Sequence, residues 1–350
     1  MISESMSVES VFAFLWALVV CSFSMPPIIF LSFRKKLLDV PDDRCVHIDS
    51  TPRLGGLAIF AGFMSAVMIF GDFITPFFAM QHILAGVLLL FFAGLKDDIV
   101  PITPFKKFFV QILATGIVVF VGGLRVTSLH GFMGVIGLTN IGISYAFTFV
   151  MIIAITNAIN LIDGLNGLAG SLVLLISIIF GVFFYNLDSP IAILCFALSG
   201  ALIGFLKYNL IEGRIFMGDS GSLVIGFLVA VFCVSYLQSD LSETSKTPHL
   251  CIAIIVVPLF DTLRVFITRI IQGRSPFSPD KNHIHHRLMQ LGLSQLATVV
   301  TLLFVNIAIV SFVYFLPKLD LTIYVTTLAI LAIGVSLVFR ITEKKVTNEI

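Results

Sequence analysis

The chain has 350 residues, of which 58% are hydrophobic and 12% charged, with a net charge of +1. So few charges exclude a water-soluble globular domain, which normally carries about a quarter charged residues. A near-zero balance also gives no electrostatic reason to expect nucleic acid as a partner.

Taken in chain order, the apolar runs predict an all-α, polytopic integral membrane protein of about eleven transmembrane helices. They cover 10–33, 54–71, 77–95, 105–121, 141–158, 168–185, 190–206, 219–237, 250–271, 296–316 and 321–340. Each is about the length that crosses a bilayer, whereas barrel strands would alternate over about ten residues. The Gly-rich stretch 122–140 alternates weakly with period two and is expected to form a small β-hairpin. No repeat or low-complexity tract divides the chain, so 1–350 reads as a single catalytic domain. Four cysteines lie in apolar runs and Cys45 in a basic loop, a spacing that suits neither a disulfide framework nor a zinc site. The N-terminus lacks the basic start of a signal peptide, its first basic residue being Arg34.

Lys and Arg set the expected orientation. With eleven spans, 18 of the 21 basic residues fall on the side reached after odd-numbered spans. Only Arg125, Lys246 and Lys318 fall on the other. The N-terminus is therefore expected outside and the C-terminus in the cytoplasm. The cytoplasmic loops 34–53, 96–107, 159–167, 207–218 and 272–295 are expected to form the site.

Those loops carry the polar residues. Asp97-Asp98 ends an apolar helix, where paired carboxylates are costly unless a cation such as Mg2+ compensates them. Lys106 and Lys107 follow. In NAINLIDGLNG, Asn157, Asn160, Asp163 and Asn166 recur every three residues and share a broad helical face. Such a face lines either a cavity or a helix–helix interface bonded through Asn side chains. In YNLIEGRIFMGDSGS, Asn209 and Arg214 precede Asp219, which sits between glycines where a new span starts. A helix N-terminus there favours an anion, and Asp219 can hold a metal beside it. In GRSPFSPDKNHIHHRL, Arg274, His283, His285 and His286 suit a diphosphate better than zinc, because cations crowd the loop. The first loop, PDDRCVHIDSTPRLGG, mixes signs and offers Arg44 and His47 as further substrate-binding candidates.

Together these groups point to phosphate chemistry at a membrane face, with one lipid substrate and one from the cytosol. No G-x-x-x-x-G-K-[ST] or G-x-S-x-G pattern is present. An anionic-solute transporter would place its site near the midplane, often within repeats. An intramembrane aspartyl protease on Asp163 and Asp219 would need neither Mg2+ nor the His loop.

From Asp39 to Leu288 the ordered motifs resemble the polyprenyl-phosphate N-acetylhexosamine-1-phosphate transferases. SPFSPDKNHIHHRL is similar to the GlcNAc-type branch; the related MurNAc-pentapeptide translocases carry three consecutive histidines there. The resemblance implies attack of undecaprenyl phosphate on the β-phosphorus of a UDP-N-acetylhexosamine, with UMP leaving. It implies Mg2+, with Mn2+ as a substitute, on Asp219 and Asp98. Asp97 would deprotonate or position the lipid phosphate, and Lys106 or Lys107 would lie near it. The Asn160/Asp163 face would hold nucleotide and sugar, and His283, His285 and His286 the diphosphate. The implied setting is a bacterial inner membrane, with the site on its cytoplasmic face and the enzyme a homodimer. The implied product initiates a cell-envelope polysaccharide. One departure is that Ile99, Val100 and Pro101 follow Asp97-Asp98 where enterobacterial relatives often add another acid.

Overall fold

The computed structural model describes residues 2–39, 51–71, 80–132, 135–239, 247–275, 283–315, 320–328, 330–331 and 334. The chain divides into two compact units, residues 1–126 with 140–238, and residues 127–139 with 239–350.

The first unit is built from eight helices. They are α1 (Ile2–Lys35), α2 (Gly55–Phe70), α3 (Met80–Ile99), α4 (Pro104–Gly116), α5 (Ile141–Ile162), α6 (Leu168–Asn186), α7 (Ile191–Leu206) and α8 (Asp219–Gln238). Two-residue strands β1 (Leu38–Asp39) and β2 (Thr51–Pro52) pair antiparallel between α1 and α2. Wide π-type turns extend α4 over Ile117–Val121 and α7 over Lys207–Ile211. The core helix is α8, buried continuously from Ser220 to Tyr236. Burial on every face makes it the centre of this unit, and α2, α3, α5 and α6 pack around it. The outer helices instead turn large apolar side chains outward, among them Phe23, Phe30, Phe105 and Phe109. In water such a surface would aggregate; against lipid it is the expected exterior.

In the second unit, β3 (Ser128–Phe132) and β4 (Val135–Gly137) form the expected antiparallel hairpin. It also contains α9 (Thr247–Ile254), α10 (Val256–Ile271), α11 (Ile284–Gln290) and α12 (Gln295–Phe315). The span expected over 250–271 is not continuous: α9 and α10 meet at a 71° bend. Pro258 has no N–H for the Ile254 carbonyl four residues back. Asn306 Nδ2 on α12 donates to that carbonyl at 3.1 Å, so the break leaves no orphan acceptor there.

Seven described helices are long and apolar enough to cross a membrane, or eight if the bent pair is one span. The protein is thus a multi-pass helical membrane protein. Of the run 321–340, only 321–328 and isolated later positions are described, and they are helical.

Candidate active site

One end of the first unit gathers the last turn of α3, the first turn of α4, the end of α5 and the start of α8. Close approach of α3 to α8 needs a small residue. A side-chain carbon on Gly94 would overlap the Asp219 carbonyl. The chain enters α8 through Gly218 at φ +73, where a Cβ would meet the Arg53 carbonyl and the Asp98 carboxylate. Ahead of it, Phe216 and Met217 accept hydrogen bonds from the Gly55 and Gly56 amides at 2.9 and 2.7 Å, tying this segment to α2.

Asp98 caps α8 from a different helix. Its Oδ1 accepts from the Asp219 amide at 2.7 Å and its Oδ2 from the Ser220 amide at 2.9 Å. These are two of the four amides a helix start leaves unpaired, and the helix dipole favours the negative charge. Burial nonetheless pushes the Asp98 carboxyl up to about 6, against the pull of the Ser220 and Asp219 donors and with the Asp219 charge adding to the rise. Asp97 is opposite in character. Burial works against its charge, but the Asp219 carboxyl, the Ile102 amide at 2.7 Å and Lys107 hold it down to about 2.

Lys107 stands between the two acidic motifs. Its Nζ lies 2.6 Å from Asp97 Oδ2 and 2.7 Å from Asp219 Oδ2. The other Asp219 oxygen accepts from Asn160 Nδ2 at 2.7 Å, and Asn160 also donates to Ser222 Oγ at 2.7 Å. Asp163 follows the last turn of α5. Burial, then the charges of Asp219 and Asp98, push it up to about 7. Four carboxylates therefore sit near one ammonium.

That excess of hard, anionic oxygen suits a divalent cation. Among the described residues no three acidic, His or Cys groups converge as a ready ligand set. Mg2+ does not require one, since it is usually held by one or two carboxylates plus water and substrate phosphate. Asp219 and Asp98, with Asp163 beside them, are the residues that fit it.

Of the sequence candidates, the structure brings together Asp97, Asp98, Lys107, Asn160, Asp163 and Asp219. It separates Lys107 from Lys106, which is exposed on α4. Two amides expected to contact substrate are used internally. Asn157 forms a reciprocal pair with Gln111 of α4, at 2.8 and 3.2 Å, and so joins two helices. Buried Asn209 accepts from the Gly167 amide at 2.6 Å and donates to the Ile215 carbonyl at 2.7 Å. Asn166 is half-buried on the turn after α5, and Arg214 is exposed and paired with Glu212 at 3.2 Å. Arg44 and His47 lie outside the described residues.

The remaining candidates belong to the second unit. Arg274 is exposed after α10. His283 caps α11, and its Nδ1 lies 2.7 Å from Asp261 Oδ2. His285 was expected to touch diphosphate, but it is only 1% exposed, stacked on His283 and with the tilted ring of His286 against it. Among the described residues neither of its ring nitrogens has a hydrogen-bond partner, and burial, with the neighbouring His286 charge, lowers it to about 3, keeping it neutral. Sequence reasoning missed Gln111 and Asp261. The signal for Asp261 was present: a single carboxylate inside an apolar run is costly without a purpose.

The glycosyl transferase family 4 profile matches residues 80–237, the segment that holds the whole carboxylate cluster. A decaprenyl-phosphate N-acetylglucosaminephosphotransferase of Mycobacterium tuberculosis is 32% identical over 336 residues, spanning 87% of this chain and 82% of the relative. A probable undecaprenyl-phosphate N-acetylglucosaminyl 1-phosphate transferase of Bacillus subtilis is 33% identical, spanning 99% of this chain and 94% of the relative. An undecaprenyl-phosphate alpha-N-acetylglucosaminyl 1-phosphate transferase of Escherichia coli K12 is 32% identical, over 83% of this chain and 82% of the relative. The chain belongs to glycosyl transferase family 4, in the group of polyprenyl-phosphate N-acetylglucosamine-1-phosphate transferases.

Proposed function

We propose that this protein transfers N-acetylglucosamine 1-phosphate from UDP-N-acetylglucosamine to undecaprenyl phosphate. A lipid phosphate oxygen attacks the β-phosphorus, the bond from the β-phosphorus to the bridging oxygen breaks, and UMP leaves with that oxygen. The lipid-linked diphosphate sugar would then initiate a cell-envelope polysaccharide. The reading rests chiefly on the Asp97–Lys107–Asp219 chain, which links the two acidic motifs through a single ammonium.

Phosphoryl transfer needs positioning and charge neutralisation more than covalent help from the protein. A phosphate monoester has a second pKa near 6, so the acceptor arrives largely dianionic and Asp97 serves to orient it. Lys107 is the cation able to turn from carboxylate to phosphate oxygen. Mg2+, when bound at Asp219 and Asp98, supplies the remaining neutralisation of the diphosphate; Mn2+ is the expected substitute. Asn160 and Asp163 flank the nucleotide and sugar; within the second unit, His283 is the group suited to donate to a diphosphate oxygen. The positions of Lys and Arg support eleven spans in a bacterial inner membrane, with the N-terminus outside and the site facing the cytosol.

The test uses purified protein, undecaprenyl phosphate, Mg2+ and a panel of UDP-sugars, scored for UMP release. Release is expected with UDP-N-acetylglucosamine, lost on adding EDTA and abolished in Asp219→Ala and Asp97→Asn. Unchanged turnover in both variants refutes the residue assignment. Uptake of the nucleotide sugar without conversion refutes the reaction.

A further inference from the structure

We infer that Asp261 is a positioning residue: it orients His283 through Nδ1 and balances the charge His283 carries when its Nε2 bonds a phosphate oxygen. The inference rests on the proposed reading of His283 as a diphosphate contact and adds to it a group that the sequence motifs omit.

Asp261 lies on α10 and is 1% exposed. A carboxylate so buried is expensive unless its oxygens are bonded. Three donors meet it. Oδ1 takes Arg264 Nη2 at 3.2 Å and the Ile284 amide at 2.7 Å. Oδ2 takes His283 Nδ1 at 2.7 Å. The division of labour follows from this geometry. Through Oδ1, Asp261 anchors the first turn of α11 to α10. Through Oδ2 it does something an anchor does not require: it settles which ring nitrogen of His283 is turned inward.

With Nδ1–H donated to Asp261, Nε2 is the nitrogen left to act, and it has no partner among the described residues. A phosphate oxygen bonded at Nε2 requires a proton there, which makes the ring cationic. The carboxylate on its other side offsets that charge, the arrangement by which carboxylates tune imidazoles in catalytic and metal sites. The neighbouring His285 is buried, with no bond to either nitrogen among the described residues. His283 is thus an imidazole held at Nδ1 by a buried carboxylate.

Asp261→Asn keeps the shape and one acceptor oxygen. Its NH2 either faces the Ile284 amide, which loses its acceptor, or faces His283, which must then accept at Nδ1 in the other tautomer; in both cases the carboxylate charge is gone. The experiment titrates UDP into detergent-purified full-length wild type, Asp261→Asn, His283→Gln and the double variant. Thermal unfolding is recorded in parallel, and Asp261→Glu is run as a second cycle against His283→Gln. The expected result is about a tenfold weakening of UDP binding in each single variant, with the double variant no weaker than His283→Gln alone. Asp261→Glu should lose less, and its loss should also vanish in the His283→Gln background. This second cycle decides the matter if Asp261→Asn does not fold. Losses that multiply to about a hundredfold, or an Asp261→Asn protein that binds UDP as wild type does, overturn the inference. UMP release separates the two claims. Wild type that binds UDP but never releases UMP refutes the reaction while the cycle still reports on Asp261. Turnover with multiplicative losses refutes Asp261 alone, and wild type that binds no UDP refutes both.

Discussion

Replacing Lys107 with Met keeps the packing of the side-chain stem and removes the one ammonium that, among the described residues, contacts both Asp97 and Asp219. It forms two ion pairs, at 2.6 and 2.7 Å, and the three side chains are 11–26% exposed. Two unit charges about 4 Å apart interact by about 4 kcal/mol at an effective dielectric of about 20. Stripping one partner from a fully buried pair costs about 3–5 kcal/mol. Partial solvent access reduces this, to about 2–3 kcal/mol here. Carried into the transition state, that is about a hundredfold in kcat. The repulsion left behind should also make the variant lean on metal. Mg2+ at about 100 times its Kd stabilises by about 2.7 kcal/mol, and it should raise the unfolding temperature of Lys107→Met more than that of wild type. UMP release and thermal unfolding with and without Mg2+, with Lys106→Met as the control, provide the assay. Wild-type turnover and stability in Lys107→Met, or an equal loss in Lys106→Met, would refute the reasoning.

At the proposed Mg2+ site, the raised carboxyls would make metal use depend on pH. With Asp163 near 7 and Asp98 near 6, protons compete with Mg2+ as pH falls through that window, so the Mg2+ concentration for half-maximal UMP release should rise below about pH 7 and level off above it. Without metal the sign for stability is the reverse. These groups hold protons in the fold that the unfolded chain would release, so stability should fall as pH rises from about 4 to about 7. Asn157→Leu should cost about 1–2 kcal/mol by orphaning Gln111, while Asn157→Leu with Gln111→Leu regains most of it; a change in KM for the UDP-sugar at unchanged stability would instead make Asn157 a substrate contact. Gly218→Ala should abolish turnover, because its Cβ would meet the Arg53 carbonyl and the Asp98 carboxylate, whereas Gly273→Ala, also at positive φ but in open space, should lose only about 1 kcal/mol. Equal activity in those two variants would argue against the tight junction at α8.

Much of this arrangement is legible in the residues. The apolar runs became helices because a backbone in lipid must satisfy its own hydrogen bonds. The hairpin at 122–140 followed from its glycines and period-two pattern. The span over 250–271 read as continuous because its apolar residues outweigh Asp261, Arg264 and Arg269, yet Pro258 withholds one N–H and the helix breaks. The polar face Asn157–Asn160–Asp163 was recognisable, but depth divides it: Asn160 and Asp163 reach the cluster, while Asn157, a turn further in, meets Gln111 of α4.

By itself, the sequence determined that the protein lives in a bilayer, where most of its helices run, and that Asp97, Asp98, Asn160, Asp163 and Asp219 are candidates for one site. These depend on hydropathy and residue type, which survive being read in one dimension. The tertiary structure alone decided the pairings. Lys107 rather than Lys106 joins Asp97 to Asp219, because adjacent residues on a helix point about 100° apart and only the packing of α4 selects one. Asp98 serves as the cap of α8 because Gly94 lets two helices distant in sequence touch. Asp261 supports His283 because a buried carboxylate takes whatever donors the fold brings to it, and no spacing along the chain records which those are.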